Sequence, residues 1–117
     1  MFLTLTQVAL GGAIGSVLRY LTTFLVGAPL GTLIVNVVGS LVMGAALVAL
    51  SARGGLSPFL LTGVLGGFTT FSAFSADALR LWQAGQVVNG LLYVAASVGL
   101  SLIAVALGAA LAKGALG

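Results

Sequence analysis

Long apolar runs separated by short breaks dominate the chain. They predict four helical segments, at residues 3–26, 30–50, 59–82 and 87–112. Each is near the roughly 20 residues that a helix needs to cross the hydrocarbon core of a bilayer. The breaks are too short to hold a soluble appendage. The pattern therefore predicts a single all-α transmembrane domain over residues 1–117, whose first segment is retained rather than cleaved as a signal peptide.

The third apolar segment carries an interruption that a simple membrane-spanning helix does not need. Its sequence is Gly66-Gly67-Phe68-Thr69-Thr70-Phe71-Ser72-Ala73-Phe74-Ser75. Adjacent glycines predict a helix broken at mid-membrane depth, with backbone groups that protein, water or an ion must satisfy. Such breaks are typical of sites for an ion or small solute. The rings at 68, 71 and 74 recur every third residue, so we expect them to share one face and to form the wall of a permeation pathway.

Composition places the whole chain in a membrane. It is 61% hydrophobic and 4% charged, whereas a soluble domain carries about 25% charged residues. Cys and His are absent and Asp77 is the only carboxylate, which excludes disulfides and nearly excludes zinc, iron and paired-carboxylate chemistry. We expect no enzymatic activity and no nucleic-acid partner, and we interpret the net charge of +3 as membrane-flank and pore charge.

Small residues recur four positions apart, the spacing that lets helices approach closely in lipid. The pairs are Gly11/Gly15, Gly12/Ser16, Ser40/Gly44 and Gly63/Gly67. We interpret most of them as packing positions within a bundle. Because four thin helices bury little on their own, a homo-oligomer is expected.

The distribution of cations suggests an unusual assembly. Four spans place Arg53 and Lys113 on one side of the membrane, and Arg19 and Arg80 toward the other. Orientation follows the excess of Lys and Arg in short loops, so a two-against-two balance gives no direction of insertion. The hypothesis is a dual-topology, antiparallel homodimer.

Polar residues inside the spans are the candidates for function. Arg19 either anchors its helix at the interface or attracts an anion in a vestibule, and its position favours neither. Asn36 is either interhelical glue or, as we favour, a pore donor. Tyr93, Ser97 and Ser101 follow one another four residues apart and form one line of hydroxyls. Those hydroxyls either bond back to their own helix or form a polar track, and the alignment favours the track.

These donors suit a small anion better than a cation. A cation pathway needs carboxylates or a filter of carbonyls, and no carboxylate precedes Asp77. The edges of phenyl rings are the positive pole of the ring and can face an anion. Free carbonyls in the break at 66–70 could instead hold one monovalent cation.

The interrupted third segment closely resembles the signature of the Fluc/CrcB fluoride channels. The family's early Gly-x-x-x-Arg matches Gly15 to Arg19, and its second-span asparagine matches Asn36 in Asn36-Val37-Val38-Gly39. The resemblance covers essentially the whole chain. It implies a dual-topology antiparallel homodimer in the cell's inner (plasma) membrane. Two pores per dimer would pass fluoride passively and protect against its toxicity.

The resemblance also implies roles for particular residues. Phe71 and Phe74 resemble the aromatic box and Asn36 a donor beside it, while Ser72, Ser97 and Ser101 resemble a polar track with Tyr93 nearby. Arg19 matches the vestibule arginine, and the carbonyls of Gly66 and Thr69 from both subunits resemble ligands of a central structural Na⁺. Ala73 departs from the family's usual threonine. Asp77 is expected to pair with Arg80 on the surface.

Two other classes share parts of this pattern. Small multidrug exporters have the same length, four spans and dual topology, but they exchange protons through a first-span carboxylate that is absent here. A structural membrane subunit would use its polar residues only as interhelical glue. That alternative predicts no ion flux from the purified protein.

Overall fold

The computed structural model describes residues 1–50 and 57–116, with side chains to residue 115, and all regular secondary structure within these residues is helical. Arg53, one of the four cations weighed above, lies outside the described residues. Helix α1 spans Phe2–Val26 and α2 spans Leu30–Ala49. Helix α3 begins with π-helical winding at Pro58–Leu65 and ends with one α-turn at Gly66–Phe68; α4 spans Ser72–Gln83 and α5 spans Val87–Leu116.

The prediction of four spans is confirmed. Helices α1, α2 and α5 are each long and apolar enough to cross a membrane, and α3 with α4 supplies another span over Pro58–Gln83. The break between α3 and α4 falls at residues 69–71, near the middle of that span. The third span is therefore broken at mid-membrane, as the sequence predicted, and the chain is a multi-pass membrane protein.

Helices α1 and α3 run parallel, and glycines let their backbones touch. Gly11 lies against the backbone around Phe59, while Gly15 lies one turn further along, where a Cβ would sit 2.8 Å from the amide nitrogen of Phe68. A Cβ on Gly67 would sit 2.8 Å from the carbonyl of Gly12. In lipid, helices associate through such close van der Waals packing. The predicted packing role of these glycines is confirmed, although Gly12 itself has open space around its missing side chain.

Helices α2 and α5 form the other parallel pair and make the most extensive contact in the molecule. A Cβ on Gly44 would collide with the carbonyl of Val105, and one on Gly108 would collide with the carbonyl of Leu41. The two glycines therefore hold α2 and α5 at backbone contact. The result is two tightly packed helix pairs with the break of the third span between them.

The position of the break corrects the sequence interpretation. Gly66 has helical dihedrals, φ −63° and ψ −36°, and the chain leaves the helix only at Thr69, with φ −82° and ψ 158°. Gly67 is small because α1 crosses it closely, and neither glycine marks the place where the chain leaves the helix. Since the break separates Phe68 from Phe71, the three rings do not share one helical face. Phe68 instead lies near Gly39, whose missing Cβ would be 3.3 Å from its ring.

The burial pattern is that of a protein solvated by lipid. Large apolar side chains such as Leu18, Phe24 and Leu102 are exposed on the outer faces of the helices. Within residues 1–50 and 57–115, the buried polar or charged side chains are those of Thr32, Asp77 and Ser97. Polar groups are costly in hydrocarbon, so their place is the interior of the bundle.

Candidate functional site: a polar groove at the broken helix

A groove of about 420 Å³ opens between the break, α2 and α5. Its lining combines polar side chains with aromatic and aliphatic ones and contains no charged residue. The lining residues are Asn36, Ser40, Gly66, Thr69, Thr70, Phe71, Phe74, Ser97, Val98, Ser101 and Leu102. Seven of the ten site residues predicted from the sequence are among them; Arg19, Ser72 and Tyr93 lie outside the lining. The roles assigned to all ten stay predictions.

Asn36 connects α2 to the break through two hydrogen bonds. Its Oδ1 accepts from the amide of Thr70 at 2.7 Å, and its Nδ2 donates to the carbonyl of Thr70 at 2.8 Å. The interhelical contact, the less favoured of the two interpretations of Asn36, is therefore present. An asparagine amide has two hydrogens, and within residues 1–50 and 57–116 only one of them is bonded. Asn36 can therefore hold the break and still offer a donor to the groove.

The backbone carbonyls of the break divide into bonded and free groups. Gly67 accepts from Arg19 Nε at 3.0 Å, and Thr70 accepts from Asn36. No hydrogen bond from the described part of the chain reaches the carbonyls of Gly66 and Thr69, and both residues line the groove. These are the two carbonyls that the sequence analysis assigned to a cation. Free backbone oxygens at the end of a broken helix suit a monovalent cation.

Arg19 contacts α3 through its Nε atom. The side chain is half-buried, and its bond to Gly67 at 3.0 Å places a positive charge at the C-terminal end of α3, where a cation is favourable. This bond does not decide between the interfacial anchor and the vestibule, so both alternatives stay predictions.

Two serine hydroxyls of α5 are buried without a partner. The Oγ atoms of Ser97 and Ser101 make no hydrogen bond of good geometry to the described residues, although the hydroxyl of Ser97 lies near that of Tyr93, and both serines line the groove. The alternative in which they bond back to their own helix is therefore wrong. A buried hydroxyl without a partner costs about 1–3 kcal/mol. Two such groups on one wall give the groove donors that a solute can use.

The aromatic residues beside the serines contact one another and differ in how exposed they are. Phe71 and Phe74 meet edge to face, with centroids 5.3 Å apart, and Phe74 contacts Tyr93 at 5.4 Å. Phe74 is 8% exposed and belongs to the core, whereas Phe71 is 76% exposed at the rim of the groove. Tyr93 lies behind Phe74, so it supports the wall instead of lining it.

Asp77 differs most from its expected surroundings. Its predicted pairing with Arg80 is confirmed, with Arg80 Nη1 3.1 Å from Oδ1. The predicted surface location is wrong, because Asp77 is 4% exposed and its Oδ2 accepts from the hydroxyl of Tyr93 at 3.2 Å. Helix α4 carries Asp77 one turn beyond Phe74, toward α5. The only carboxylate of the chain is thus held away from the groove lining.

Two hydroxyl residues at the break, Thr70 and Ser72, have contacts that the sequence did not predict. Thr70 is the residue that Asn36 holds, and its Oγ1 accepts from the amide of Ala73 at 3.1 Å, so it starts α4. The signal available in the sequence was the presence of a hydroxyl residue, Thr70, in the interrupted segment. Ser72 is exposed, and its Oγ lies 3.3 Å from Thr70 Oγ1, beside the groove.

The cation balance is less simple than the sequence suggested. Arg19 is bound inside the bundle and Arg80 is paired with Asp77. Arg19 is thus not a free flanking charge, whereas the side chain of Arg80 is 72% exposed and still counts as one. The dual-topology hypothesis therefore stays a prediction.

Comparison with known proteins gives consistent similarities along nearly the full length. Residues 6–109 match the family model described as CrcB-like protein, Camphor Resistance (CrcB). A protein of Paracoccus denitrificans is 52% identical, over 95% of both chains. One from Ruegeria sp. is 49% identical over 99% of both, and one from Rhizobium etli is 54% identical over 91% of this chain and 93% of its own. All three relatives are named fluoride-specific ion channel FluC.

Proposed function

This chain belongs to the CrcB family, and on that premise we propose that it is a fluoride-specific ion channel. The observation that carries the proposal is the pair of unpartnered hydroxyls of Ser97 and Ser101 in an uncharged groove. An anion leaving water needs hydrogen-bond donors in place of its hydration shell. Fixed neutral donors supply them without the strong attraction that would trap the ion. The names of the relatives describe a channel, in agreement with the expected absence of enzymatic activity.

The groove offers a path with several donors in succession. Ser101 and Ser97 present hydroxyls along α5, and Asn36 presents its second amide hydrogen from α2. Phe71 and Phe74 present ring edges, whose positive pole faces an anion favourably. Fluoride moves along this path down its electrochemical gradient, so the channel exports it passively.

The proposed assembly is an antiparallel homodimer with two pores in the inner (plasma) membrane. The exposed ring of Phe71 supports an assembly of two copies, because it leaves an aromatic surface at the groove rim for the partner to cover. The unbonded carbonyls of Gly66 and Thr69 also support it. One chain supplies two such oxygens, and a second copy brings the number to four.

A monovalent cation such as Na⁺ fits these carbonyls. Among the described residues no group of three or more His, Cys, Asp or Glu could hold a metal, so a cation would be held by backbone oxygens. When bound, Na⁺ would supply the charge that satisfies those oxygens. Replacement of Na⁺ by a large organic cation is expected to destabilise the dimer. Unchanged assembly and unchanged fluoride flux after thorough depletion would remove the cation from the proposal.

The test of function is fluoride efflux from liposomes that contain only this purified protein, with a chloride electrode alongside. Rapid release of fluoride without chloride is the expected result. Folded protein that releases neither ion would favour the structural-subunit alternative. Proton-coupled export of a cationic drug would favour the exporter class.

A further inference from the structure

The helix break begins at one diverted hydrogen bond. In a continuous α-helix the amide of Thr70 would donate to the carbonyl of Gly66, four residues earlier. The preceding amide keeps this pattern, because Thr69 donates to Leu65 at 3.0 Å. The amide of Thr70 donates instead to Oδ1 of Asn36 at 2.7 Å. The helix therefore ends where a side chain from α2 replaces the next helical acceptor.

Asparagine meets the chemical requirement of this position. The side-chain amide offers an acceptor and a donor side by side, so it can bond both the N–H and the C=O of one residue. Asn36 does so with Thr70, at 2.7 Å and 2.8 Å. A serine would be shorter, and a leucine could form neither bond.

Gly39 makes room for this contact. It lies three residues after Asn36, so both face the break from α2. A Cβ at Gly39 would collide with the methyl group of Thr69. Any larger residue there would require the side chain of Thr69, next to the bonded Thr70, to move.

We infer that Asn36 is a positioning residue: it holds the break open and so keeps the carbonyl of Gly66 free to bind a cation. This role is additional to any contact with fluoride, and its second half rests on the proposed cation site. If Asn36 were removed, the amide of Thr70 could return to Gly66. The helix would then extend by one residue, and each chain would lose one of its two cation ligands.

The contact can be measured directly in the membrane. The chain has two asparagines and eight threonines, so protein labelled with ¹³Cγ-asparagine and ¹⁵N-threonine gives a sparse solid-state NMR spectrum. The expected result is one strong ¹³C–¹⁵N dipolar contact, between Asn36 and Thr70. It should disappear in Asn36→Ala and persist in Asn89→Ala, because Asn89 is exposed and bonds Gln86. Absence of the contact in the wild type overturns the inference.

The consequence for the cation is measured by thermal unfolding at increasing Na⁺ concentration, since a ligand that binds only the folded state stabilises it. The readout is the apparent dissociation constant of Na⁺, fitted to the rise of the unfolding free energy with Na⁺ concentration. Loss of the Gly66 ligand from each chain is expected to raise this constant about tenfold in Asn36→Ala, a change equivalent to roughly 1.4 kcal/mol. Asn36→Asp keeps an acceptor for Thr70 and should shift it less. Asn89→Ala is the matched control.

The outcomes separate positioning from pore chemistry. An unchanged dissociation constant of Na⁺ with reduced fluoride efflux in Asn36→Ala would assign Asn36 to the pore alone and overturn the inference. A general loss of stability would lower the melting temperature at every Na⁺ concentration without changing this constant, and would also overturn it. A wild type without any Na⁺ response refutes the cation site and with it the second half of the inference, whereas the NMR contact still decides the first half. If Asn36→Ala does not fold, Asn36→Asp and the wild-type spectrum decide.

Discussion

Replacement of Asp77 by alanine tests whether the buried carboxylate supports the aromatic wall. Asp77→Ala removes the acceptor of the Tyr93 hydroxyl, which donates at 3.2 Å in a side chain that is 8% exposed. A buried donor left without a partner costs about 1–3 kcal/mol. The lost ion pair adds little, because the side chain of Arg80 is 72% exposed, and exposed pairs are worth about 0–1 kcal/mol. We expect a destabilisation of roughly 1–3 kcal/mol, most of it from the orphaned hydroxyl.

The effect on transport follows from the contact between rings. Tyr93 packs against Phe74 with centroids 5.4 Å apart, and Phe74 lines the groove. A Tyr93 ring without its anchor leaves Phe74 less well supported, so fluoride efflux should fall in Asp77→Ala. Asp77→Asn keeps a carbonyl oxygen for the hydroxyl of Tyr93 and should retain most of the efflux and stability.

Chemical unfolding in detergent and fluoride efflux from liposomes measure the two effects. A double-mutant cycle identifies the cause, since removal of both partners leaves no orphaned group. Tyr93→Phe combined with Asp77→Ala should recover much of the stability lost in Asp77→Ala alone. Wild-type stability and efflux in Asp77→Ala would refute the reasoning, as would a double mutant without recovery.

Three further predictions concern the groove and the packing around it. Phe74→Ile should reduce both fluoride efflux and stability, because Phe74 is buried, whereas Phe71→Ile should reduce efflux with little change in the unfolding of the monomer, because Phe71 is exposed. Wild-type efflux in both variants would remove the aromatic box from the mechanism. Ser97→Ala and Ser101→Ala should reduce efflux without loss of stability, since each removes a hydroxyl that has no partner among the described residues; unfolding measured beside efflux distinguishes this from a folding defect. Gly15→Ala should prevent tight packing of α1 on the backbone of α3 and shift the protein to aggregates on gel filtration, and a normal elution profile would contradict the geometry.

The four spans could be read from the sequence with small errors at their ends. Hydropathy determines which segments leave water, and this requires no knowledge of neighbours. The predicted segment 30–50 compares with Leu30–Ala49 in the structure, and 59–82 with Pro58–Gln83. The close-packing glycines were also predictable, because a four-residue spacing of small side chains has one main use in a lipid-facing bundle.

The position of the break was predicted about one turn too early. Glycines are weak helix formers, so Gly66 and Gly67 predict a break from propensity alone, yet both lie in the last helical turn of α3. What ends the helix is Asn36, thirty-four residues away along the chain from Thr70. Local propensity cannot reveal a hydrogen bond made by a distant helix.

The residue types of the site followed from the sequence, whereas their environments came only from the packing. The chain on its own determined a lipid-solvated bundle, a family signature and a set of neutral donors, because composition and motif are properties of the linear polymer. The tertiary structure decided which groups are satisfied. It turned Arg19 onto a carbonyl of α3, enclosed Asp77 beside Tyr93, and left the hydroxyl of Ser97 without a partner. Those outcomes depend on which helices meet and at what distance. Inside a membrane no water is available, so whether a polar group is hydrogen-bonded depends on the neighbouring helices alone.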